Sequence, residues 1–422
     1  MREKLLDEVE VGDRLKIEKK DQGYEGILMP HHHFSDDDVI TLKLDNGYNI
    51  GIKADETTQV DLLKEGEERP EKAEKEVDID ESKPKVSILG TGGTIASYVE
   101  YRTGAVHPAQ DEEDVLYSNP EIAERCDPEV DILFSKLSED LVPGDWVKIA
   151  DRVVELLEGG SEGVVISHGT DTMGYTAAAL SFMLSGLSRP VVLVGSQRSS
   201  DRPSSDAHLN LLGAIEVAKS DIPGVFVVMH DSMSDDRCMI HKGTKVRKMH
   251  TSRRDAFESI NEEPVGMVDP RTGEVELDQE FEPGKGELRR KGGMEDEVSL
   301  LYANPGTSAE EIRTAGEKKG LVIAGTGLGH IRTELIPELE KLIDEGKLVV
   351  MTSQCLNGTV NDLVYSAGRE LLEIGVISGE DMLPETALVK LMWALSLEED
   401  IEEIENLMKE NVVGEITDRR VR

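Results

Sequence analysis

Residues 85–96 read KVSILGTGGTIA, and residues 163–173 read GVVISHGTDTM. Each stretch opens with a short run rich in valine and isoleucine, the pattern of a strand buried within a sheet. Each run then passes directly into a polar loop of glycine and threonine. Because open parallel α/β sheets bind ligands at the carboxyl ends of their strands, we expect both loops at one edge. The two stretches therefore predict an α/β fold with a shared site at the strand ends.

The first loop places a hydroxyl group beside backbone donors. Gly92 and Gly93 allow positive φ angles and close approach of a ligand, and the neighbouring amides can form an anion-binding nest. Thr94 follows directly, but a threonine hydroxyl is a weak nucleophile until a base takes its proton. A lone TGGT is a common strand-to-helix turn, so only the pairing with the second loop makes Thr94 a catalytic candidate.

Both motifs match, almost letter for letter, the two signatures of the bacterial-type asparaginase and glutaminase family, which the chain resembles from about residue 85 onward. The resemblance implies that Thr94 is the first, nucleophilic threonine. It also implies that Thr170 and Asp171 are the second catalytic threonine and its acidic neighbour.

The family also has a catalytic lysine. Residues 242–252, KGTKVRKMHTS, follow a predicted strand at 225–229, and the best register assigns the catalytic role to Lys248. Lys245 remains open as the rival. We expect Asp171 to be a buried carboxylate whose negative charge is neutralised by this lysine.

Weaker matches complete the implied pocket. Tyr101 resembles the mobile-loop tyrosine that supports the nucleophile when the lid closes. Ser138 and Glu139 fall where the family holds the α-amino and α-carboxylate groups of its amino-acid substrate. A glutamate at this place favours binding of the substrate's α-ammonium group. No residue near 361–362 matches the glutamate that the family donates across its subunit interface.

Three other features invite different interpretations. His168 could suggest a Ser/His/Asp triad, but it lies just before Thr170 and is expected to brace the loop. The adjacent side chains of 31–33, HHH, diverge and do not predict a metal site. Residues 325–329, GTGLG, mimic a dinucleotide fingerprint, yet their glycine spacing and the lack of a ribose-binding acid predict a strand-to-helix turn. We expect no metal and no cofactor in this chain.

The chain divides into four predicted segments. Residues 1–63 show short alternating strands and a hairpin turn, DNG, which predict a small β-barrel for docking, and residues 64–84 form a charged linker. Residues 85–290 contain the motifs within a βαβ rhythm, and residues 291–422 form a second α/β unit that ends in amphipathic helices. The predicted fold class is α/β, with a two-lobed, asparaginase-like parallel-sheet core behind the barrel.

The N-terminal segment narrows the resemblance. Residues 24–30, YEGILMP, and 46–51, NGYNIG, look like the N-terminal domain of the D subunits of archaeal glutamyl-tRNA(Gln) amidotransferases, a branch of the family. This resemblance implies a glutaminase that supplies ammonia to an E subunit. The E subunit would bind ATP, Mg²⁺ and most of the tRNA, in a complex of two D and two E subunits. It also implies a homodimer through the α/β core.

Two alternatives remain open. One methylene separates glutamine from asparagine, and no motif reads that difference, so a free-standing cytoplasmic L-asparaginase is the first alternative. The second is a catalytically silent scaffold that binds a sugar or nucleotide. The presence of Thr94, Thr170, Asp171 and Lys248 together counts against a silent scaffold.

The composition is strongly acidic. Lys and Arg number 47 against 86 Asp and Glu, which gives a net charge of −39. This charge repels phosphates, so we do not expect the chain to bind tRNA tightly by itself. The N-terminus lacks an apolar signal core and no stretch nears the length of a membrane span, so we expect a cytoplasmic protein without membrane contact.

The spread of acidic residues along the whole sequence indicates a surface adapted to a high-salt cytoplasm. We predict that the melting temperature rises between low salt and molar KCl, because salt screens the self-repulsion of the negative charges. Calorimetry across that range tests this prediction. A melting temperature that stays flat or falls would show that the charge is not a salt adaptation.

Overall fold

The fold is known from a computed structural model. It describes all residues apart from 1, 8, 21, 32–35, 46–47, 66–78, 93–96, 101–104, 109–114, 117–118, 200–203, 283, 285 and 418–422, and at residues 3, 97–100 and 105–108 it describes the backbone only. The predicted DNG turn and most of the predicted linker lie outside the described residues. So do two of the three adjacent histidines.

The N-terminal segment forms a small β domain, as predicted. Its elements are α1 (Arg2–Leu5), β1 (Arg14–Lys19), β2 (Gln22–Leu28), β3 (Val39–Lys43), β4 (Asn49–Lys53) and β5 (Thr58–Lys64). The strands pair antiparallel in the order β4-β3-β2-β1-β5. Alternate residues such as Leu15, Ile17, Ile40 and Leu42 point inward and are fully buried. This segment therefore has a hydrophobic core of its own.

The first lobe follows the N-terminal segment. Its elements are β6 (Lys85–Gly92), β7 (Ser97–Glu100), β8 (Ala105–Pro108), α2 (Glu121–Arg125), β9 (Asp127–Lys136), α3 (Pro143–Glu158), β10 (Gly163–Ser167), α4 (Met173–Met183), β11 (Leu184–Ser185), β12 (Pro190–Val194), α5 (Ala207–Ala218), β13 (Gly224–His230), β14 (Cys238–Lys242), β15 (Val246–Lys248), β16 (Phe257–Ser259), β17 (Gly266–Val268), β18 (Val275–Leu277) and β19 (Arg289–Arg290). A single 3-10 turn at Ser138–Asp140 separates β9 from α3.

The second lobe completes the chain. Its elements are β20 (Val298–Tyr302), α6 (Ala309–Ala315), β21 (Gly320–Gly325), α7 (Ile336–Asp344), β22 (Leu348–Ser353), α8 (Ser366–Glu373), β23 (Ile377–Ser378), α9 (Pro384–Leu397) and α10 (Ile401–Lys409). Four of these strands form a parallel sheet in the order β20-β21-β22-β23. The GTGLG stretch connects β21 to a 3-10 turn and α7, so the strand-to-helix prediction for it is confirmed.

The large sheet of the first lobe is mixed. Its order is β18-β17-β14-β13-β12-β10-β6-β9. The five strands from β13 to β9 are parallel, as the βαβ rhythm predicts. Three short strands extend the β13 edge in antiparallel fashion, which the sequence pattern does not predict. Antiparallel neighbours need only short connections, and here they replace crossover helices.

Both faces of the parallel region are covered. On β10, Val164 and Ile166 pack on one face with α3 and α4, whereas Val165 packs on the other face with α5. All three side chains are fully buried, and each such burial is worth roughly 1.5–3 kcal/mol. Burial on both faces explains why these strands read as continuous apolar runs rather than alternating ones.

The two lobes share one hydrophobic core through α9. Its residues from Thr386 to Ala394 are nearly all buried, and Trp393 stacks on Phe182 of α4 with ring centroids 5.5 Å apart. The prediction of amphipathic helices at the end of the chain is therefore wrong for α9, because it packs against both lobes. The prediction holds for α10, which buries Ile404 and Met408 and exposes its acidic face. Within the described ranges, no helix has both the length and the apolar character to cross a membrane.

His168 braces the loop that leaves β10. Its Nδ1 lies 2.6 Å from the Gly169 carbonyl oxygen, and its Nε2 lies 2.8 Å from the Thr176 hydroxyl. A neutral ring satisfies both contacts, with Nδ1–H donating and Nε2 accepting. Burial lowers the pKa of His168 to about 4, against the smaller raising effect of the Gly169 carbonyl. Both ring nitrogens are thus engaged within the loop.

We predict that stability falls as the pH drops from about 6.5 to about 4. In this window the unfolded chain binds a proton at His168 while the folded chain does not, because the folded-state pKa lies below the unfolded one. The contribution of His168 is about 3 kcal/mol at most. Denaturant unfolding of wild type and His168→Gln across the window measures it.

The matched control is His208→Gln, because the His208 side chain is 41% exposed, whereas His168 is fully buried. The control should keep the wild-type pH slope. A His168→Gln variant that also keeps the full slope would show that burial of this ring does not couple folding to pH.

Candidate active site

Three adjacent strands deliver the predicted loops to one edge. β10, β6 and β9 are parallel neighbours, so their carboxyl ends lie side by side. The Thr91 hydroxyl donates to the Ser167 carbonyl oxygen at 2.8 Å and joins the ends of β6 and β10. Gly92 has a φ of 118°, a left-handed conformation that favours glycine. The expected convergence of the two motifs at one edge is confirmed for the strand ends.

The second motif and the lysine segment meet at this edge. The Lys248 ammonium lies 2.8 Å from Thr170 Oγ1 and 2.8 Å from Asp171 Oδ1. Thr170 is buried, and the Lys248 side chain is 14% exposed. A hydroxyl, a carboxylate and an amine within hydrogen-bond reach of one another can pass a proton among themselves.

Lys248 reaches the edge on a short hairpin. β15 and β16 pair antiparallel, with Lys248 opposite Phe257. Val246 and Phe257 anchor the hairpin in the core beside α4. The tip is held by the buried Arg254, which bonds to Asp235 and to the Met233 carbonyl oxygen. The lysine therefore projects from a supported element.

Lys245, the rival candidate, lies elsewhere. It is fully buried, and its ammonium lies 2.7 Å from Asp381 Oδ2 in the second lobe. The geometry brings Lys248 and not Lys245 to Thr170, although only two residues lie between the two lysines.

The environment of Asp171 differs from the expectation. Its side chain is 67% exposed, so the expected buried carboxylate is wrong. Asp171 follows the strand end on the outer side of the loop, and Lys248 covers only one of its oxygens. An exposed ion pair of this kind contributes little to stability.

Ser138 lies close to the second motif, and its role in substrate binding stays a prediction. It is buried, and its carbonyl oxygen accepts a 2.7 Å hydrogen bond from the Thr172 hydroxyl. A Cβ on Gly169 would lie 2.8 Å from Ser138 Oγ, so this approach requires glycine. Glu139 is exposed, with its Oε2 3.4 Å from Ser138 Oγ.

Two predicted residues, Thr94 and Tyr101, lie outside the described residues. Their neighbours are described: β6 ends at Gly92, and β7 pairs antiparallel with β8 on either side of 101–104. The roles assigned to Thr94 and Tyr101 stay predictions.

Sequence reasoning missed two residues that shape the site. Thr172 belongs to the second motif, and it ties that motif to Ser138. Asp145, at the start of α3, is buried and accepts bonds from Lys136, Lys148 and the Val142 amide. Burial raises the pKa of Asp145, but the two ammonium groups outweigh it and the net pKa is lowered. The signal for Asp145 is a PGD sequence at a helix start.

Family models match three consecutive parts of the chain. The model described as "Asparaginase, N-terminal" matches residues 85–282, and the model described as "Glutaminase/Asparaginase C-terminal domain" matches residues 297–408. The model described as "GatD N-terminal domain" matches residues 9–63.

Solved asparaginases have the same fold as the two lobes. The thermostable L-asparaginase from Thermococcus kodakarensis is 36% identical with a TM-score of 0.72, over 79% of this chain and 100% of that one. L-asparaginase I from Vibrio cholerae is 31% identical with a TM-score of 0.69, over 79% of this chain and 99% of that one.

Full-length relatives are more similar still. The D subunit of glutamyl-tRNA(Gln) amidotransferase from Pyrococcus furiosus is 50% identical over 418 residues, which cover 97% of this chain and 95% of the relative. The protein of the same name from Methanobrevibacter smithii is 47% identical over 416 residues, with coverage of 97% and 95%. The chain belongs to the asparaginase family, and within it to the family of glutamyl-tRNA(Gln) amidotransferase D subunits.

Proposed function

We propose that this chain is the glutaminase component of a tRNA-dependent amidotransferase, which hydrolyses glutamine and supplies the ammonia that converts Glu-tRNA(Gln) to Gln-tRNA(Gln). The observation that carries the proposal is the Lys248 ammonium, 2.8 Å from both Thr170 Oγ1 and Asp171 Oδ1 at the edge where β6 ends. The full-length similarity to D subunits supports the choice of reaction.

The proposed chemistry is acyl transfer through threonine. Thr94 Oγ forms a bond to the side-chain amide carbon of glutamine, and the carbon–nitrogen bond then breaks. For this step Lys248 acts as the neutral amine: Thr170 takes the Thr94 proton and passes its own proton to the amine. The resulting ammonium then gives a proton to the leaving nitrogen, which departs as ammonia. Water then attacks the ester, releases glutamate and restores the threonine hydroxyl. Asp171 keeps the lysine in place and balances its charge.

Neighbouring loops would hold the substrate. We propose that Ser138 and Glu139 receive the α-carboxylate and α-ammonium groups, and the direct contact of Ser138 with the second motif supports this role. Backbone amides after β6 would stabilise the developing oxyanion. Tyr101 would support the nucleophile when its loop closes.

A partner must complete the overall reaction. The net charge of −39 opposes tight tRNA binding by this chain, so we propose that an E subunit binds most of the tRNA together with ATP and Mg²⁺. The proposed assembly contains two D and two E subunits, with a D homodimer formed through the α/β lobes.

The first alternative, a free-standing L-asparaginase, accounts for less of the chain. The solved asparaginases cover 79% of it, and residues 9–63 match a separate model, described as "GatD N-terminal domain". The small β domain has its own core, so it is a folded unit that requires a function. We propose that it docks the partner.

We predict that Thr94→Ala, Thr170→Val and Lys248→Met each lower glutaminase turnover by several orders of magnitude, because members of a catalytic unit act together. For Lys248→Met, the loss should appear in kcat more than in KM. Steady-state ammonia release measures both parameters, and circular dichroism checks the fold.

Lys242→Met is the matched control, since Lys242 lies on the same segment but pairs with Glu262 at 2.5 Å. The control should stay within about threefold of wild type. A Thr94, Thr170 or Lys248 variant that retains more than about a tenth of the wild-type rate would exclude that residue from the reaction.

We also predict that glutamine hydrolysis by the isolated chain is slow and rises when the E subunit and Glu-tRNA(Gln) are added, because lid closure can be coupled to the state of the partner. Deletion of residues 1–63 should spare the lobes and weaken this stimulation. Ammonia release would be measured with each component omitted in turn. Equal rates under all conditions would favour a free-standing amidohydrolase.

A further inference from the structure

Lys245 and Asp381 form a buried ion pair between the lobes, here called the inter-lobe clamp. Lys245 Nζ lies 2.7 Å from Asp381 Oδ2, and the two side chains are only 1% and 3% exposed. Lys245 precedes β15 in the first lobe, whereas Asp381 precedes α9 in the second. The clamp therefore joins segments 136 residues apart in the chain.

The clamp lies at the base of the lysine hairpin, defined as residues 246–259. The Ile260 amide donates to the Lys245 carbonyl oxygen at 2.9 Å, which closes the hairpin beside the clamp. Val246 then pairs with Ser259, and Lys248 pairs with Phe257. Lys248 is thus one short strand away from the clamped residue.

Asp381 is itself held firmly. Its Oδ1 accepts a 2.9 Å hydrogen bond from the Thr417 amide, and its carbonyl oxygen accepts one of 3.0 Å from Asn261 Nδ2. Asn261 adopts a φ of 63°, and its side-chain oxygen also accepts a hydrogen bond from the Gly358 amide at 2.7 Å. Both ends of the hairpin are consequently tied to loops of the second lobe.

Two more contacts join residues next to Lys245 to the second lobe. The Thr386 hydroxyl donates to the Thr244 carbonyl oxygen at 2.9 Å, and Arg247 pairs with Glu385 at 2.7 Å. Residues 244, 245 and 247 thus all contact the second lobe, and Lys248 extends from this run to Thr170.

A buried charge fixes geometry because moving it away from its partner is costly. An ammonium that loses its carboxylate inside a protein keeps the full desolvation penalty. Burial lowers the pKa of Lys245, and the hydrogen bond to Asp381 opposes that effect. The hairpin cannot slide against the second lobe without separating these charges.

We propose that Lys245 and Asp381 are positioning residues, through which the second lobe sets the place of Lys248 against Thr170 and Asp171. The proposal rests on the proposed amidohydrolase function, since it assigns Lys248 to the reaction. A displacement of about 1 Å at such a contact can cost on the order of 100-fold in rate.

The test compares two double variants that each neutralise a buried ion pair. Lys245→Met with Asp381→Asn removes the clamp, and the asparagine oxygen can still accept the Thr417 amide. Lys390→Met with Glu415→Gln removes a pair that is also fully buried, at 2.5 Å, but lies within the second lobe. Turnover in the assembled enzyme, melting temperature and hydrogen exchange of the amides of 246–259 are measured for both.

The clamp variant should lose about 30-fold in kcat with KM within about threefold of wild type, and its hairpin amides should exchange at least about tenfold faster. The control should keep wild-type kcat and slow hairpin exchange, and its melting temperature shows how much the loss of a buried pair alone changes stability. Equal kcat losses in both variants, or wild-type kcat and exchange in the clamp variant, would overturn the proposal.

If the double variant does not fold, Asp381→Asn alone is tested in its place. Its kcat and the exchange of its hairpin amides are measured in the same way. Absence of amide hydrolysis by the wild-type enzyme would instead refute the proposed function. In that case the hairpin exchange, which does not depend on activity, decides whether the clamp positions Lys248.

Discussion

The contact of one ammonium group with a hydroxyl and a carboxylate is the interaction on which the site depends. Lys248 reaches both Thr170 and Asp171 at 2.8 Å, although 77 residues or more separate it from them in sequence. The edge of a parallel sheet supplies the hydroxyl and the carboxylate, and a hairpin that contacts the second lobe supplies the ammonium group. Catalysis by positioned groups requires this kind of precision, and rigid elements provide it.

The net charge of the chain and its buried ion pairs have different roles. The chain carries a net charge of −39, which opposes the binding of phosphates and which salt can screen. The buried pair Lys245–Asp381 joins the two lobes, whereas the buried pair Lys390–Glu415 lies within the second lobe. Such pairs are poor sources of net stability, because the desolvation cost offsets the attraction.

Much of the fold could be predicted because its strands are buried on both faces and read as apolar runs, as in β6 and β10. The site residues of the second motif are contiguous, so one motif located Thr170 and Asp171 together. Local pattern could not reveal which side of its loop Asp171 would face, and the prediction of its burial was therefore wrong. Likewise, helical periodicity could not show that α9 is covered on all sides by two lobes.

Contacts between residues far apart in the chain were the main feature that the sequence could not predict. The sequence left Lys245 and Lys248 as rivals because both lie on one short segment, and only the fold shows that Asp381 takes the first and Thr170 the second. Nothing near Lys245 in sequence signals a partner so distant. The three antiparallel strands beyond β13 were missed for a related reason, since short strands such as β17 carry little periodic signal.

Covalent trapping can show whether the Lys248 cluster activates Thr94 as a nucleophile. A diazoketone analogue of glutamine alkylates the nucleophile of such enzymes with loss of dinitrogen, and peptide mass spectrometry then locates the label. We expect one label per chain, on Thr94, which forms far more slowly in Lys248→Met. A label on any other residue, or no label on an enzyme that hydrolyses glutamine, would show that Thr94 is not the nucleophile.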